Sequence, residues 1–520
     1  MSYAPLLQDI EMGSGDFSHV KNVGVIGAGV AGLQMCRALL LNGYTVTVFD
    51  KAPKVGGLWR ENYNGFGVQV PKQLYEFPDL PLDEVPWGEF PTGSQTQAYI
   101  ERYAKHFGLA KCLKLSTEVL ELKARADGRK GYTLVLAGGG SEDFDFVVIA
   151  TGMYSQVPNM PAWAQDTSAF KGQVMHSSKY IDQSVCKDKR VLIIGSGKSA
   201  HDCTESAAEV SKEPPMMLFR EAHWSTPRKI MGIIPFQYIF LSRLGQALVS
   251  WHKGAFRSGG PCYCSFCSCL LYPIMWLAFK LVAFIFAVQR GHFGEYFPRT
   301  ELVSDFFGYA MVLDTSFISK WRSGELSGKK CEVTRLVEDG VELANGQKLE
   351  ADVIICATGF RKTYDYLPEE VRKQLDIQDD GLWLYRHMMP KDVRELCLAF
   401  CGSEVATISN IMTHALQAEY ICRLLRGRLA LPSLLDMALE MDRMKNWKRS
   451  WMPETSSRAS LVLLFQTHYH DRLLMDMGER ACRKCGPAEL FAPYGPHDYD
   501  GIVGSLPKKG PEESREPTTG

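Results

Sequence analysis

Residues 190–202 read RVLIIGSGKSAHD, an apolar run that breaks into a glycine turn and continues as an amphipathic helix. The same design opens at residue 22 as NVGVIGAGVAG and runs on through VAGLQMCRALLLNG to a second apolar stretch, TVTVFD. Strand, glycine turn, helix and strand in that order make the unit of a parallel α/β sheet whose turn grips a dinucleotide. In the first loop Gly27 permits the tight turn, Gly29 lets the backbone approach a pyrophosphate, and Gly32 lets the helix pack close to the strand. The helix N-terminus then faces the anion. The second loop offers Gly195 and Gly197, with Ala200 as an accepted variant of the third glycine.

The ends of the following strands tell the two loops apart. Asp50 closes the strand after the first loop, where a carboxylate accepts ribose hydroxyls. After the second loop the matching strand ends at Arg220, with Arg228 and Lys229 beyond it and no acid in the place of Asp50. A carboxylate there repels a ribose 2′-phosphate, whereas a guanidinium pairs with it through bonds of about 1.5 to 3 kcal/mol each. That is roughly a 10- to 150-fold preference for NADPH over NADH. Two loops with opposite discriminators imply two different dinucleotides, most simply FAD in the first and NADPH in the second.

Two further apolar strands, FDFVVIATG and ADVIICATGF, end in Ala-Thr-Gly at residues 150–152 and 357–359 and read as returns from one nucleotide domain to the other. The predicted fold is therefore α/β, with two Rossmann-type dinucleotide-binding domains, the NADPH domain inserted into the FAD domain, and a helical C-terminal region. The expected boundaries are a flexible leader over 1–20, the FAD domain over 21–160 and 331–430, and the NADPH domain over 165–330 with an apolar insert at about 230–300. The helical region then covers 431–500, and a polar, proline-rich tail covers 501–520. A chain of 520 residues is long enough for this arrangement. Lys plus Arg number 58 against 59 Asp plus Glu, so no field of one sign draws in nucleic acid. The first thirty residues lack the basic start and apolar core of a secretory signal, and the expectation for the fifteen cysteines is a reducing compartment.

FKGQVMHSSKY at residues 170–180 fits the F-x-G-x-x-x-H-x-x-x-Y/F fingerprint of flavin-containing monooxygenases through Phe170, Gly172, His176 and Tyr180. With GAGVAG, GGLW at 56–59, LSTEV ending at Val119, GSGKSA, and CATGF ending at Phe360, the chain resembles that family over about residues 22–430, in the family's order. The resemblance implies FAD and NADPH as cofactors, and dioxygen and a small amine or sulfide as substrates. A flavin hydroperoxide then passes its distal oxygen to the soft nitrogen or sulfur nucleophile. The cofactors carry this chemistry while the protein supplies position and dryness, so no catalytic triad is expected. The resemblance further implies that Gly57 and Trp59 line the ribityl and phosphate region and that the Val119 backbone holds the adenine edge. It also makes NIMTHALQAEY a helix capping the flavin, with Thr413 and Gln417 as contacts. His176 reads either as a proton donor or as the link between the two nucleotide domains.

The chain departs from the family in one place that bears on catalysis. Many members carry asparagine beside the flavin, whereas the matching run here is VQVPKQ with Gln69 at that position. A longer amide either still hydrogen-bonds the oxygenated flavin or lets it collapse to hydrogen peroxide. Baeyer–Villiger relatives end the fingerprint in tryptophan and place an arginine in the flavin segment. This chain has Tyr180, and no arginine between Arg60 and Arg102, which favours heteroatom oxygenation. Baeyer–Villiger or oxo-acid-decarboxylating oxygenation and uncoupled NADPH oxidation stay as alternatives. A disulfide reductase needs a Cys-x-x-Cys at the flavin, and the pairs Cys264 with Cys267 and Cys482 with Cys485 lie outside both nucleotide cores.

LLYPIMWLAFKLVAFIFAV, residues 270–288, is 19 residues long, enough to span a bilayer, but carries Lys280 near its centre and Pro273. It reads as a span, a surface-lying membrane segment or a lid over the substrate channel. The expected location is cytoplasmic, with association to the endoplasmic reticulum membrane left open. Cys262, Cys264, Cys267 and Cys269 precede the segment and read first as reduced thiols, with zinc ligation or acylation as alternatives. HYHD at 468–471 lacks the i, i+4 histidine spacing of a metal site and is assigned no role, and no metal is expected.

Overall fold

The structure is a computed structural model describing residues 17–82, 87–154, 157–249, 265–291, 294–302, 305, 311–313, 315–452, 454–456, 458–463 and 466–504. The leader as far as residue 16, the tail from 505, and Cys262 and Cys264 lie outside the described residues.

The first unit begins with β1 (Asn22–Ile26), α1 (Val30–Leu41) and β2 (Thr45–Phe49), then adds β3 (Leu113–Lys114) and β4 (Phe146–Ile149). The second begins with β5 (Gln173–His176), β6 (Val191–Ile194), α2 (Lys198–Ala208) and β7 (Met216–Phe219), and adds β8 (Ser327–Lys330) and β9 (Val353–Cys356). The chain returns to the first sheet as β10 (Leu398–Phe400). Both sheets have five strands, in the orders β10-β4-β1-β2-β3 and β8-β7-β6-β9-β5, and every pairing is parallel. The strand that feeds each glycine loop is thus the central one, and ligands of such sheets sit where the order reverses.

Parallel strands are buried on both faces, which is why FVVI, VLII and VIIC are continuous apolar runs. Val25 and Val148 pack on one side of the first sheet, Ile26 and Ile149 on the other. Ile193 and Ile355 do the same opposite Leu192 and Ile354 in the second sheet. Each unit also carries an antiparallel three-stranded meander, over residues 119–144 before β4 in the first and 333–350 before β9 in the second.

The sheets correct one expected boundary. Residues 331–356, expected in the first unit, belong with the second, because β9 lies between β6 and β5 in the second sheet. Each Ala-Thr-Gly turn follows the strand beside its own glycine loop, and the chain changes unit after it. The two crossings pair with each other as antiparallel Val157–Pro158 and Phe360–Arg361.

The apolar insert holds α3 (Ser265–Arg290), 26 residues with Pro273 inside. Among the described residues no helix is long and apolar enough to cross a membrane. Phe279 and Phe286 bury one side of α3 against the protein, the Phe286 ring standing 6.1 Å from that of Phe240. C-terminal to the sheets, α4 (Asn410–Leu425) packs along α1, with Gln34 Nε2 donating to Ile411 O at 3.0 Å, and α5 (Gln466–Asp476) packs on α4.

Candidate active site

At the first loop Gly27 takes φ +112°, and a Cβ there would stand 2.4 Å from Ala150 O. A Cβ on Gly32 would come within 1.8 Å of Gly27 O, so the tight turn and the close helix are both dictated by backbone contact. Gly29 caps α1 without a side-chain acceptor, leaving the first N–H groups of the helix for a ligand. Gly57 approaches it, its built Cβ lying 3.1 Å from Gly29 Cα, and Gly56 N donates to Ala28 O at 2.9 Å. An uncapped helix start faced by a second glycine is a cradle that fits the FAD diphosphate.

Asp50 also shapes the loop. Its Oδ2 accepts from Ala28 N at 2.7 Å and its Oδ1 from Ala52 N at 2.8 Å, which fixes the carboxylate at the end of β2. Ser116 N and Thr117 N donate to the carbonyls of Ala52 and Asp50, bringing the stretch that ends at Val119 to the same end of the sheet.

The second loop repeats the geometry. Gly195 has φ +130° with Ala357 O 2.5 Å from its built Cβ, Gly197 starts α2 without a side-chain cap, and Ala200 is fully buried beneath. Arg220 stands 80% exposed at the end of β7, with Glu332 at 4.0 Å. Beside it in the sheet, Lys330 pairs with Phe219 in register and places its Nζ 3.1 Å from Glu221. Arg228 does something else, its guanidinium lying 3.9 Å from the ring centroid of Phe90 in the first unit. Lys330 and Lys198, which forms an ion pair with Asp202 in the first turn of α2, are cations near this loop that strand and loop spacing did not single out.

One stretch, residues 56–69, runs from the first loop to the second. Trp59 stacks on Phe66 with centroids 5.9 Å apart. Tyr63 OH donates to Asp202 Oδ2 at 3.0 Å, and Asn64 donates from its N to Tyr180 O at 2.6 Å and from its Nδ2 to Ser206 Oγ at 2.7 Å. Gln69 Oε1 accepts from Val312 N at 2.9 Å, which orients the amide and leaves its NH2 end without a partner among the described residues. His176 Nδ1 accepts from Ser178 N at 3.2 Å, so its Nε2–H donates to Gly359 O at 2.9 Å, and burial lowers its pKa. The ring ties β5 to the second crossing.

On α4 the two residues singled out from sequence are turned toward protein. Thr413 Oγ1 lies 2.7 Å from both Thr407 Oγ1 and His470 Nε2. Gln417 accepts from Gly402 N at 2.9 Å and donates to Tyr469 OH at 2.8 Å, so both ends of its amide are used within the fold. HYHD, left without a role, is the hub of this region. His470 Nδ1 meets Tyr499 OH at 2.7 Å, Tyr469 OH donates to Arg386 O at 2.7 Å, and Asp471 accepts from Arg243. Burial pushes His468 and His470 down to about 3. No group of three or more metal-ligating side chains occurs among the described residues, and Cys482 and Cys485 are free thiols.

A model of the flavin-binding monooxygenase-like family matches residues 20–254 and 312–478 of this chain. Among curated proteins, probable flavin-containing monooxygenase 1 of Arabidopsis thaliana is 28% identical over 527 residues, covering 92% of this chain and 96% of its own. Flavin-containing monooxygenase 1 of Rattus norvegicus is also 28% identical, over 83% of this chain and 78% of its own. Among solved structures, cyclohexanone monooxygenase bound to epsilon-caprolactone superposes with a TM-score of 0.66 at 18% identity, over 87% of this chain and 97% of its own. The S-allyl-L-cysteine S-oxygenase of Allium sativum gives 0.57 at 21%, over 88% and 89%. At these identities the solved structures speak for the fold, two dinucleotide-binding units and all. The match of the family model over most of the chain says more, and it agrees with both loops: this chain belongs to the flavin-binding monooxygenase-like family and is an NADPH-dependent, FAD-containing monooxygenase.

Proposed function

We propose that the enzyme transfers one atom of dioxygen to a soft nitrogen or sulfur centre of a small molecule. The observation that carries this reading is the stretch 56–69, which touches the first loop at Gly29, the second at Asp202, and ends on a Gln69 amide with its NH2 end unspent. A single stretch that meets both glycine-loop units supports a flavin and a nicotinamide held at one place. When bound, FAD reduced by NADPH supplies the redox chemistry that activates dioxygen.

The chain's residues hold and orient. Gly27, Gly29, Gly32 and Gly57 cradle the FAD diphosphate, Asp50 the ribose, Val119 the adenine edge, and Trp59 flanks the ribityl chain. Gly195, Gly197 and Ala200 hold the NADPH diphosphate, while Arg220, with Arg228 further along, answers the 2′-phosphate. Gln69 donates toward the flavin edge. Tyr180, at the last fingerprint position, is buried with its OH 3.0 Å from Ser206 Oγ, and no arginine lies between Arg60 and Arg102 in the flavin segment. Both features favour heteroatoms over ketones. The test is the oxygenated product, by mass spectrometry, from a panel of trimethylamine, a thioether and a cyclic ketone. N-oxide or S-oxide formation is expected, and ester from the ketone as the main product overturns the reading.

The same enzyme docks on a membrane surface through its insert. Ile274, Leu277, Leu281, Phe284 and Val288 lie exposed along α3, Leu277 at 64% and Phe284 at 65%. Beside them the hairpin Lys229–Ile230/Ile234–Pro235 exposes Met231 and Ile233 at its turn and is tied to α3 by Gln289, which donates to Lys229 O and accepts from Met231 N. Lys280 reaches over Trp276, 5.7 Å from its centroid, as a cation does at a lipid–water boundary. The wild type is expected to float with anionic liposomes and the variant Leu277→Glu with Phe284→Glu to stay behind. Equal flotation of the two removes the surface.

A further inference from the structure

The C-terminal ends of β1, β4 and β10 meet where the FAD cradle lies, and one polar side chain there has nothing to do within the protein. His414, one residue past Thr413 on α4, is 8% exposed, and neither of its ring nitrogens has a hydrogen-bond partner among the described residues. Its neighbours on the helix are spent, Thr413 on Thr407 and His470, Gln417 on Gly402 and Tyr469. Buried donors and acceptors are nearly always paired, so an imidazole left open on both sides points to a partner outside the chain.

The position of the ring says which partner. Gly402, at φ +67° just after β10, separates it from α1: a Cβ built there lies 2.9 Å from His414 Nε2 and 2.6 Å from Ala31 Cβ. Ala31 is the second residue of α1, next to the uncapped N–H groups that face Gly57. The imidazole therefore flanks the start of the same helix whose free N–H groups await an anion, with only the Gly402 hydrogen in place of a side chain between it and Ala31.

We propose that His414 is a direct ligand of FAD, donating a ring N–H to an oxygen of its diphosphate. The inference rests on the assignment of the first loop to FAD. It makes α4 contribute to cofactor binding through His414, while Thr413 and Gln417 fix the helix that carries it.

The test uses the full-length protein stripped of flavin and titrated with FAD, followed by flavin fluorescence, as wild type, His414→Leu and His414→Asn. Loss of a bond to a charged oxygen is expected to weaken FAD binding about 10- to 150-fold in His414→Leu, with partial recovery in His414→Asn, whose amide can still donate. NADP+ binding by calorimetry stays unchanged in all three and shows that the variants fold. In the FAD-loaded proteins, a 31P resonance of the diphosphate moves between wild type and His414→Asn. Equal FAD affinities overturn the proposal, as does weakened binding with unmoved 31P resonances, which places the ring on the ribityl chain or flavin instead. A wild type that takes up no FAD at all overturns the assignment of the first loop with it.

Discussion

At the scale of single residues, the Gln69 amide is held by Val312 N, so its effect is one of direction. Replacing it by alanine removes the donor proposed for the flavin edge, and Gln69→Ala is expected to raise hydrogen peroxide release per NADPH consumed several-fold, read by a peroxidase-coupled assay; unchanged coupling removes Gln69 from the site. Arg220→Ala is expected to raise KM for NADPH roughly 10- to 150-fold and leave that for NADH nearly unmoved, as steady-state kinetics with the two reductants would show. Spacing points to Gly27, Gly29, Gly32, Asp50 and Arg220 because a strand and a tight turn leave little freedom over so few residues. Thr413 and Gln417 rest on the family resemblance, and both are turned toward partners within the protein. Helical periodicity picks out a face, but which of Thr413, His414 and Gln417 stays open depends on partners such as Tyr469 and His470, more than fifty positions away.

Among the elements, α5 shows why HYHD resisted reading. Tyr469, His470 and Asp471 face Arg386, Tyr499 and Arg243 in turn, so no common ligand spacing arises. Asp471 holds Arg243, which also bonds Glu489 and donates to Ala481 O at 2.7 Å, and this clamps the start of the insert to the C-terminal region. Removing one partner of a buried pair leaves the other charge uncompensated, and Arg243→Met is expected to cost about 3–5 kcal/mol in urea unfolding. A loss below about 1 kcal/mol would show that Asp471 is satisfied without it. The apolar character of α3 was plain in the sequence, but its placement was not, because composition does not tell a helix half-buried on protein, as Phe279 and Phe286 show this one to be, from one buried all round.

For the molecule as a whole, buried histidines set the acid limit. His201, His468 and His470 are each pushed down to about 3 by burial, well below the ordinary value near 6.5. Their unfolded forms bind protons first, so the stability they lend is complete above about pH 6.5 and falls as pH drops toward 3. These three alone give a slope of about 4 kcal/mol per pH unit within that window, and His387 and His414, lowered by burial in the same direction, steepen it, measurable as urea midpoints at pH 7, 6 and 5. Flat midpoints would mean the rings are charged in the native state. Two parallel sheets around two glycine loops were legible from periodicity alone. The point of return was not, since the strand VIIC within ADVIICATGF is apolar at every position and such a strand carries no mark of which sheet it joins.

Entry to and exit from the inserted unit run side by side, as Val157–Pro158 laid against Phe360–Arg361. The polypeptide link between the units is thus a short two-stranded ribbon, but the inserted unit is not held by it alone: any swing about the ribbon must part Tyr63 from Asp202, Asn64 from Ser206 and Arg243 from Asp471, and must open the core that Phe240 and Phe286 share with the first unit.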